Sequence, residues 1–398
     1  MIPALMPNYH RMDLAFDHGE GAWLVAADGR RFLDFGAGIA TSSLGHGHLG
    51  LTHAIAEQAA KVIHVSNLYR VPEAERLAAR LVQASFADSV FFCNSGAEAN
   101  EALVKVFRRT MADDGKPERY RIICADGAFH GRTLAMISAT GNAKYLAGFG
   151  PKVDGFDHVP FNNLNALRAA ITPETAGILV EPIQGEGGVR PAEQNYLRGL
   201  RAAADEFSLL LGFDEVQCGM GRTGKLFAHE WAGVVPDAVS TAKGIAGGFP
   251  LGALLASERV AKHLVPGSHG TTFGGGPLAC AAGNAVLDVV LAPGFLDGVV
   301  RLGERLRAGL DALVARHADV FTQARGQGLM LGLVCAVPNT EVQAACLAEG
   351  LLAVAAGENV LRIIPPLVIG DAEIGEALER LDGAARRCKP SALRNAAK

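Results

Sequence analysis

Two residues of the 398-residue chain stand where covalent chemistry on a carbonyl is possible. Lys243, in STAKGIAGGFPLGA, follows the apolar run Ala238–Thr241 and precedes a glycine-rich loop. Asp214 closes the apolar run of LLLGFDEVQ, and the segment between the two suits one helix-and-loop excursion between neighbouring strands. A lysine attacks a carbonyl only as the neutral amine, which favours a partly desolvated place near another cationic centre. A carboxylate at a strand edge can keep a pyridine nitrogen protonated and turn the ring into an electron sink. Taken singly, such a lysine is more often solvated and such an aspartate more often a cap. Together they sit at the carboxyl edge of a sheet, where α/β proteins bind ligands.

A phosphate site lies upstream. Asn94-Ser95-Gly96-Ala97-Glu98 follows the apolar run Val90–Cys93 and opens an amphipathic helix. Backbone N–H groups at a helix start, with the Ser95 hydroxyl, form an anion cradle. Ser95 and Glu98 also have the spacing of a capping box, and the two roles can coexist. Gly219-Met220-Gly221-Arg222-Thr223-Gly224 matches the dinucleotide pattern GxGxxG. A dinucleotide strand runs straight into the first glycine, whereas here Asp214 to Cys218 intervene, so nicotinamide or flavin binding is rejected.

The elements that must position these groups follow from periodicity. Val90–Cys93, Arg121–Cys124, Gly177–Val180, Leu209–Phe213, Ala238–Thr241 and Ala253–Ala256 read as buried strands. Glu73–Ala84, Ala97–Thr110, Glu193–Phe207 and Pro277–Val290 read as helices between them. That alternation predicts an α/β fold with a mostly parallel sheet. Residues 20–35 have an Asp28-Gly29 turn between alternating runs, a hairpin signature. We expect a large domain over residues 51–295. Residues 1–50 and 296–398, the latter with the strand-like GLMLGLVCAV and LRIIPPLVI, should form a smaller α+β domain.

Composition narrows the class. Hydrophobic residues are 49% and charged residues 20%, with a formal charge of −4 and no basic tract, so no nucleic-acid partner is expected. Seven cysteines without CxxC pairing argue against a disulfide framework or a metal site. The N-terminal MIPALMPNYHRMDLAFDHGEG lacks the charge-then-apolar order of a leader, and no apolar run is long enough for a membrane span. The expectation is a cytoplasmic protein.

The combination NSGAEAN (94–100), FHGRT (129–133), EPIQGEGGV (181–189), FDEVQCGMGRTG (213–224), TAKG (241–244) and HGTTFGG (269–275) resembles class III pyridoxal-phosphate aminotransferases. The resemblance spans nearly the whole chain in matching order. Within the class it is most similar to the acetylornithine aminotransferases, with the ornithine aminotransferases next. The fold it implies is the fold-type I transferase, with a seven-stranded sheet in the large domain. The reaction it implies is a two-stroke amino transfer from an amino acid, N2-acetylornithine at its δ-amine, to 2-oxoglutarate. Ornithine, succinylornithine, succinyldiaminopimelate and 4-aminobutyrate are alternative donors, and SNLY (66–69) resembles the acetylornithine form of a substrate-pocket segment.

Residue roles follow from the resemblance. Lys243 is the Schiff-base lysine and proton shuttle, and Asp214 pairs with the pyridinium nitrogen of pyridoxal 5'-phosphate. Val216 and Gln217 contact the ring and its phenolic oxygen, and Phe129 stacks on one face. Ser95, Gly96 and Ala97 hold the phosphate, joined by Thr272 from the second subunit of a homodimer with shared active sites. Arg132 and Thr271 contact the donor, with Arg132 on its α-carboxylate. Arg362 binds the 2-oxoglutarate α-carboxylate and pairs with Glu186 while an amine donor is bound. The sequence departs from the family at Ala97, where a hydroxyl residue is frequent, at Phe273 and Gly276, often Tyr and Asn, and in KGIAGGFP.

Overall fold

The computed structural model describes residues 3–388; residues 1–2 and 389–398, the ends of the two expected flanking segments, lie outside the described residues. Seven strands form the central sheet: β1 (Ser89–Cys93), β2 (Arg121–Ala125), β3 (Phe156–Val159), β4 (Thr175–Val180), β5 (Leu210–Asp214), β6 (Ala238–Thr241) and β7 (Gly252–Ala256). Their order is β1-β7-β6-β5-β4-β2-β3. β7 is antiparallel to both neighbours, and the remaining pairs are parallel. The mixed, mostly parallel α/β sheet is the expected one. β4 to β7 are buried along their whole length, which is why they read as continuous apolar runs rather than alternation. β3, which the apolar runs do not reveal, is an edge strand and carries Asp157 and His158.

Helices cover both faces. In α1 (Gly96–Asp113), Ala99, Leu103, Val106 and Phe107 are buried at helical spacing. In α2 (Gln194–Glu206), Tyr196, Leu200 and Ala203 face the opposite core. The β5–β6 connection holds no α-helix, contrary to expectation, only a short 3-10 turn, Ala228–Ala232. Gly219, Gly221, Gly224 and Pro236 disfavour a helix there. Glu215, fully buried, organises the loop instead: its carboxylate accepts from Ala228 N (2.7 Å) and His229 N (2.8 Å) and meets His229 Nδ1 at 2.9 Å.

The N-terminal hairpin forms as expected, Trp23–Ala26 pairing with Arg31–Asp34. Leu351–Leu352 adds in parallel to Arg31–Asp34, so main-chain hydrogen bonds join the N-terminal hairpin to the segment after residue 296. A second antiparallel sheet contains β8 (Phe321–Gln327), β9 (Met330–Cys335), β10 (Val354–Ala356) and β11 (Val360–Ile363), in the order β8-β9-β11-β10. Helices α3 (Phe295–Arg316) and α4 (Asp371–Cys388) share one core with it, which includes Leu33 and Phe35 from the N-terminal side. No single helix among the described residues is long and apolar enough to cross a membrane.

Candidate active site

β5 and β6 are parallel neighbours with Asp214 opposite Ser240, so Lys243, just beyond Ser240, emerges at the same carboxyl edge. Lys243 opens a 3-10 turn with φ of +48°, a conformation that costs a non-glycine residue roughly 1–3 kcal/mol. Burial pulls the Lys243 pKa below that of an ordinary lysine and the Arg362 charge adds to this, while Glu186, Asp214 and Glu181 oppose it. The amine is therefore biased toward the neutral form that attacks carbonyls and accepts protons.

Asp214 is held from three elements. Its Oδ2 accepts from Asn100 Nδ2 of α1 at 2.7 Å and meets His130 Nδ1 at 2.8 Å. Its Oδ1 accepts from Val216 N at 3.0 Å. Asn100 is tied in turn to His130 O (2.8 Å) and to the Ser240 hydroxyl of β6 (2.5 Å). Burial opposes a charge on His130, but the hydrogen bond and charge of Asp214 outweigh it and raise the imidazole to about 10. The 2.8 Å contact is met by an Nδ1–H of His130 donating to Asp214. Glu181, directly after β4, accepts from Phe129 N (2.8 Å) and Gly185 N (3.2 Å). Burial, then the charge of Asp214, raises it to about 7.

These groups line a cavity of about 420 Å³. Ser95, Gly96 and Ala97 form one end of it, and Phe129 and Arg132 one wall. Asp214, Val216, Gln217, Lys243 and Glu186 complete it. At the α1 end the Gly96 and Ala97 amides have no intrahelical acceptor and can meet an anion, while that of Glu98 is taken by Ser95. A Cβ on Gly96 would lie 2.6 Å from Val216 Cγ1, so only glycine lets this turn approach the Val216 wall. Ser95 caps the helix, its Oγ accepting from Glu98 N at 3.3 Å and donating to Glu98 Oε2 at 2.8 Å, but Glu98 returns to Asn94 N (3.1 Å) rather than to Ser95 N, so only half of the expected capping box forms.

The two arginines are placed differently. Arg132 is exposed at the mouth, its guanidinium 3.9 Å from the centroid of the Tyr145 ring and 5.3 Å from that of Phe129. Arg362 lies 1% exposed behind the wall, where Nη1 donates to Glu186 Oε1 at 2.5 Å and Nη2 to Glu186 Oε2 at 3.2 Å. Nη1 also donates to Gln217 Oε1 at 3.0 Å. Burial works against the Glu186 carboxylate, yet the Arg362 charge holds its pKa below the usual range. Thr271 and Thr272 are not among the cavity residues: Thr271 Oγ1 accepts from Asn94 Nδ2 at 3.3 Å, and Thr272 is exposed.

Residues 4–385 match the family Aminotransferase class-III. The chain belongs to the class III aminotransferases. Among its relatives, the acetylornithine aminotransferase of Mesorhizobium japonicum is 58% identical over 383 residues, 96% of each chain. That of Rhodobacter capsulatus is 55% identical over 97% of this chain and 98% of its own. The crystal structure of ornithine aminotransferase from Toxoplasma gondii superposes with a TM-score of 0.92 at 30% identity, covering 96% of this chain and 92% of that one. N-acetylornithine aminotransferase from Stenotrophomonas maltophilia gives 0.83 at 38% identity, covering 98% of both.

For a class III aminotransferase the most informative additions are Asn100, His130, Glu181 and Tyr145, which the sequence reading did not single out. Glu181 obeys the rule that exposed Asp214: an acid directly after a buried strand. His130 lies inside FHGRT beside residues that were chosen. Asn100 and Tyr145 carry no local signal, because each acts on a residue distant in sequence or in a different element.

Proposed function

We propose that the enzyme transfers the δ-amino group of N2-acetylornithine to 2-oxoglutarate in arginine biosynthesis, with pyridoxal 5'-phosphate as its cofactor. The observation that carries this reading is the junction of Lys243 and Asp214 at adjacent parallel strand ends, in a chain 58% identical to an acetylornithine aminotransferase. The cavity fits the cofactor in its parts: amides of Gly96 and Ala97 with Ser95 for the phosphate, Asp214 for the ring nitrogen, and Phe129 and Val216 for the ring. Bound there, the cofactor supplies an electron sink for the pair left when a C–H bond breaks.

The remaining work falls to the protein. Asp214, fixed by Asn100 and His130, would hold the proton on the ring nitrogen. Lys243, as a neutral amine, would take the proton from the donor's Cδ. Arg132 holds the donor α-carboxylate and is kept at the mouth by Tyr145. Glu186 covers Arg362 during the donor stroke and releases it to the acceptor's α-carboxylate in the second. Ping-pong kinetics follow from the covalent route, in which the donor product leaves before the acceptor enters.

Several further assignments belong to the same reading. A homodimer would bring Thr272 of the partner subunit to the phosphate, a reading supported by its not lining its own cavity; Thr271 would contact the donor. Residues 51–295 form the cofactor domain and the two flanks the smaller one, in a cytoplasmic enzyme. Two measurements test the proposal. Lys243→Ala should abolish both turnover and the visible absorbance of the loaded protein. The kcat/KM for N2-acetylornithine should exceed that for ornithine, succinylornithine, succinyldiaminopimelate and 4-aminobutyrate; a tenfold preference for any of these, about 1.4 kcal/mol in transition-state binding, refutes the donor.

A further inference from the structure

The glycine-rich loop after Asp214 holds a buried cation that the chemistry above leaves unused. Arg222 is 2% exposed, and main-chain carbonyls rather than a carboxylate meet its guanidinium. Nη1 donates to Leu329 O at 3.2 Å and to Pro365 O. The carbonyl of Arg222 itself accepts from Leu329 N at 3.0 Å. Nη2 is buried with no hydrogen-bond partner, and burial lowers the pKa of the group to about 9. A cation desolvated without a counter-charge is costly, so ion pairing does not explain its place.

Its location does. Leu329 immediately precedes β9 and Pro365 lies just past β11, and these two strands pair with Leu331 opposite Ile363 and Gly332 opposite Arg362. One guanidinium therefore clips the adjoining ends of the two strands that carry and flank Arg362. The loop and the second sheet also meet backbone on backbone: Gly328 has φ of +56°, and a Cβ there would lie 2.6 Å from the Thr223 carbonyl carbon. From the same loop Gln217 reaches Arg362 Nη1 at 3.0 Å.

We propose that Arg222 is a positioning residue for the acceptor stroke: it clips the ends of β9 and β11 to the loop bearing Asp214 and Gln217, and so sets where Arg362 stands beside the cavity. This rests on the reading of Arg362 as the acceptor-carboxylate residue. The test compares the holoenzyme with its Arg222→Met, Arg222→Lys and Arg222→Gln variants. The Kd of glutarate, a dicarboxylate that cannot accept an amine, is read by calorimetry. The donor half-reaction with N2-acetylornithine alone is read in single turnover.

Arg222→Met should weaken glutarate at least fivefold and leave the donor half-reaction within twofold, while Arg222→Lys, which keeps a donor cation, should recover part of the loss. A smaller effect on glutarate, or an equal loss in both halves as general unfolding would give, overturns the proposal. If the methionine variant does not fold, the order of glutarate affinity wild type, Lys, Gln carries the test, and any other order overturns it. Arg362→Ala separates the two assignments: unchanged glutarate affinity there removes the role of Arg362 itself, and the proposal with it.

Discussion

Glu186→Gln probes the pairing that distinguishes the two strokes. In the resting site Glu186 occupies Arg362 through two hydrogen bonds, at 2.5 and 3.2 Å, and Arg362 is 1% exposed. If Arg362 receives the acceptor, as proposed, the acceptor carboxylate must displace this contact before it can use the guanidinium. Glutamine keeps one acceptor oxygen for Nη1 but turns an NH2 group toward Nη2, so one charge-assisted bond becomes a donor–donor contact. A hydrogen bond to a charged group contributes roughly 1.5–3 kcal/mol. Glu186 is 27% exposed, which discounts the gain toward the lower half of that range. A loosening of about 2 kcal/mol corresponds to about a 30-fold tighter acceptor, at 1.4 kcal/mol per factor of ten. The variant should therefore bind glutarate more tightly, show a lower KM for 2-oxoglutarate, and accept glutamate as a donor more readily. Calorimetry of glutarate binding and separate half-reaction kinetics measure these effects. An unchanged or raised glutarate Kd would refute the gate, because nothing else in the site competes for Arg362 with two oxygens.

Three other perturbations address the supports of the site. Asn100→Ala removes the donor to Asp214 and strands the His130 carbonyl and the Ser240 hydroxyl, so thermal or denaturant unfolding should show a loss of about 3–5 kcal/mol; a loss under 1 kcal/mol would mean that the network is not intact in solution. Gly96→Ala drives a Cβ into Val216, and cofactor retention on dialysis should fall at least tenfold and recover in the Gly96→Ala/Val216→Ala double variant; no recovery would refute the steric account. Asp382 is held at a pKa of about 2: burial pushes it up, but His317, Arg316 and Arg386 outweigh this. Because the folded value lies below the unfolded one, its stabilisation is present above about pH 4 and disappears as pH falls toward 2. Asp382→Asn should cost about 2 kcal/mol at pH 7, discounted for the exposed Arg316 and Arg386, and the gap from wild type should close near pH 2 in unfolding titrations; a constant gap refutes the electrostatic origin.

The strands β4 to β7 were legible because burial on both faces leaves no polar positions, and Pro277–Val290 matched at both ends because its apolar periodicity is unbroken. β3 was not legible, since an edge strand tolerates Asp157 and His158 and loses the apolar signature. Lys243 and Asp214 could be found because a charged residue directly after an apolar run is locally conspicuous. Glu181 has the same signature, directly after β4. Asn100 could not be found this way. It sits in the middle of an amphipathic helix and meets Asp214 and Ser240 114 and 140 positions away, so only the fold defines its chemistry. The β5–β6 connection was misread for a related reason: Glu215 replaces helical hydrogen bonds with its own carboxylate, and no local pattern announces that.

The site divides mechanically along the loop from Asp214 to Gln217. Asp214 is held from α1, from the FHGRT segment and by its own loop, with all three bonds buried or nearly so. A group constrained from three directions keeps its place whichever substrate is bound, as both strokes require of the acid on the ring nitrogen. Arg362 is held by one partly exposed carboxylate and one amide, and the carboxylate can swing aside with no bond to the central sheet broken. In the proposed reading, discrimination between a donor and a dicarboxylate acceptor rests on Arg362 of the second sheet and on Glu186, which follows β4, while Asp214 serves both strokes. Gln217 belongs to both parts, being next to Val216 on the cavity wall and bonded to Arg362.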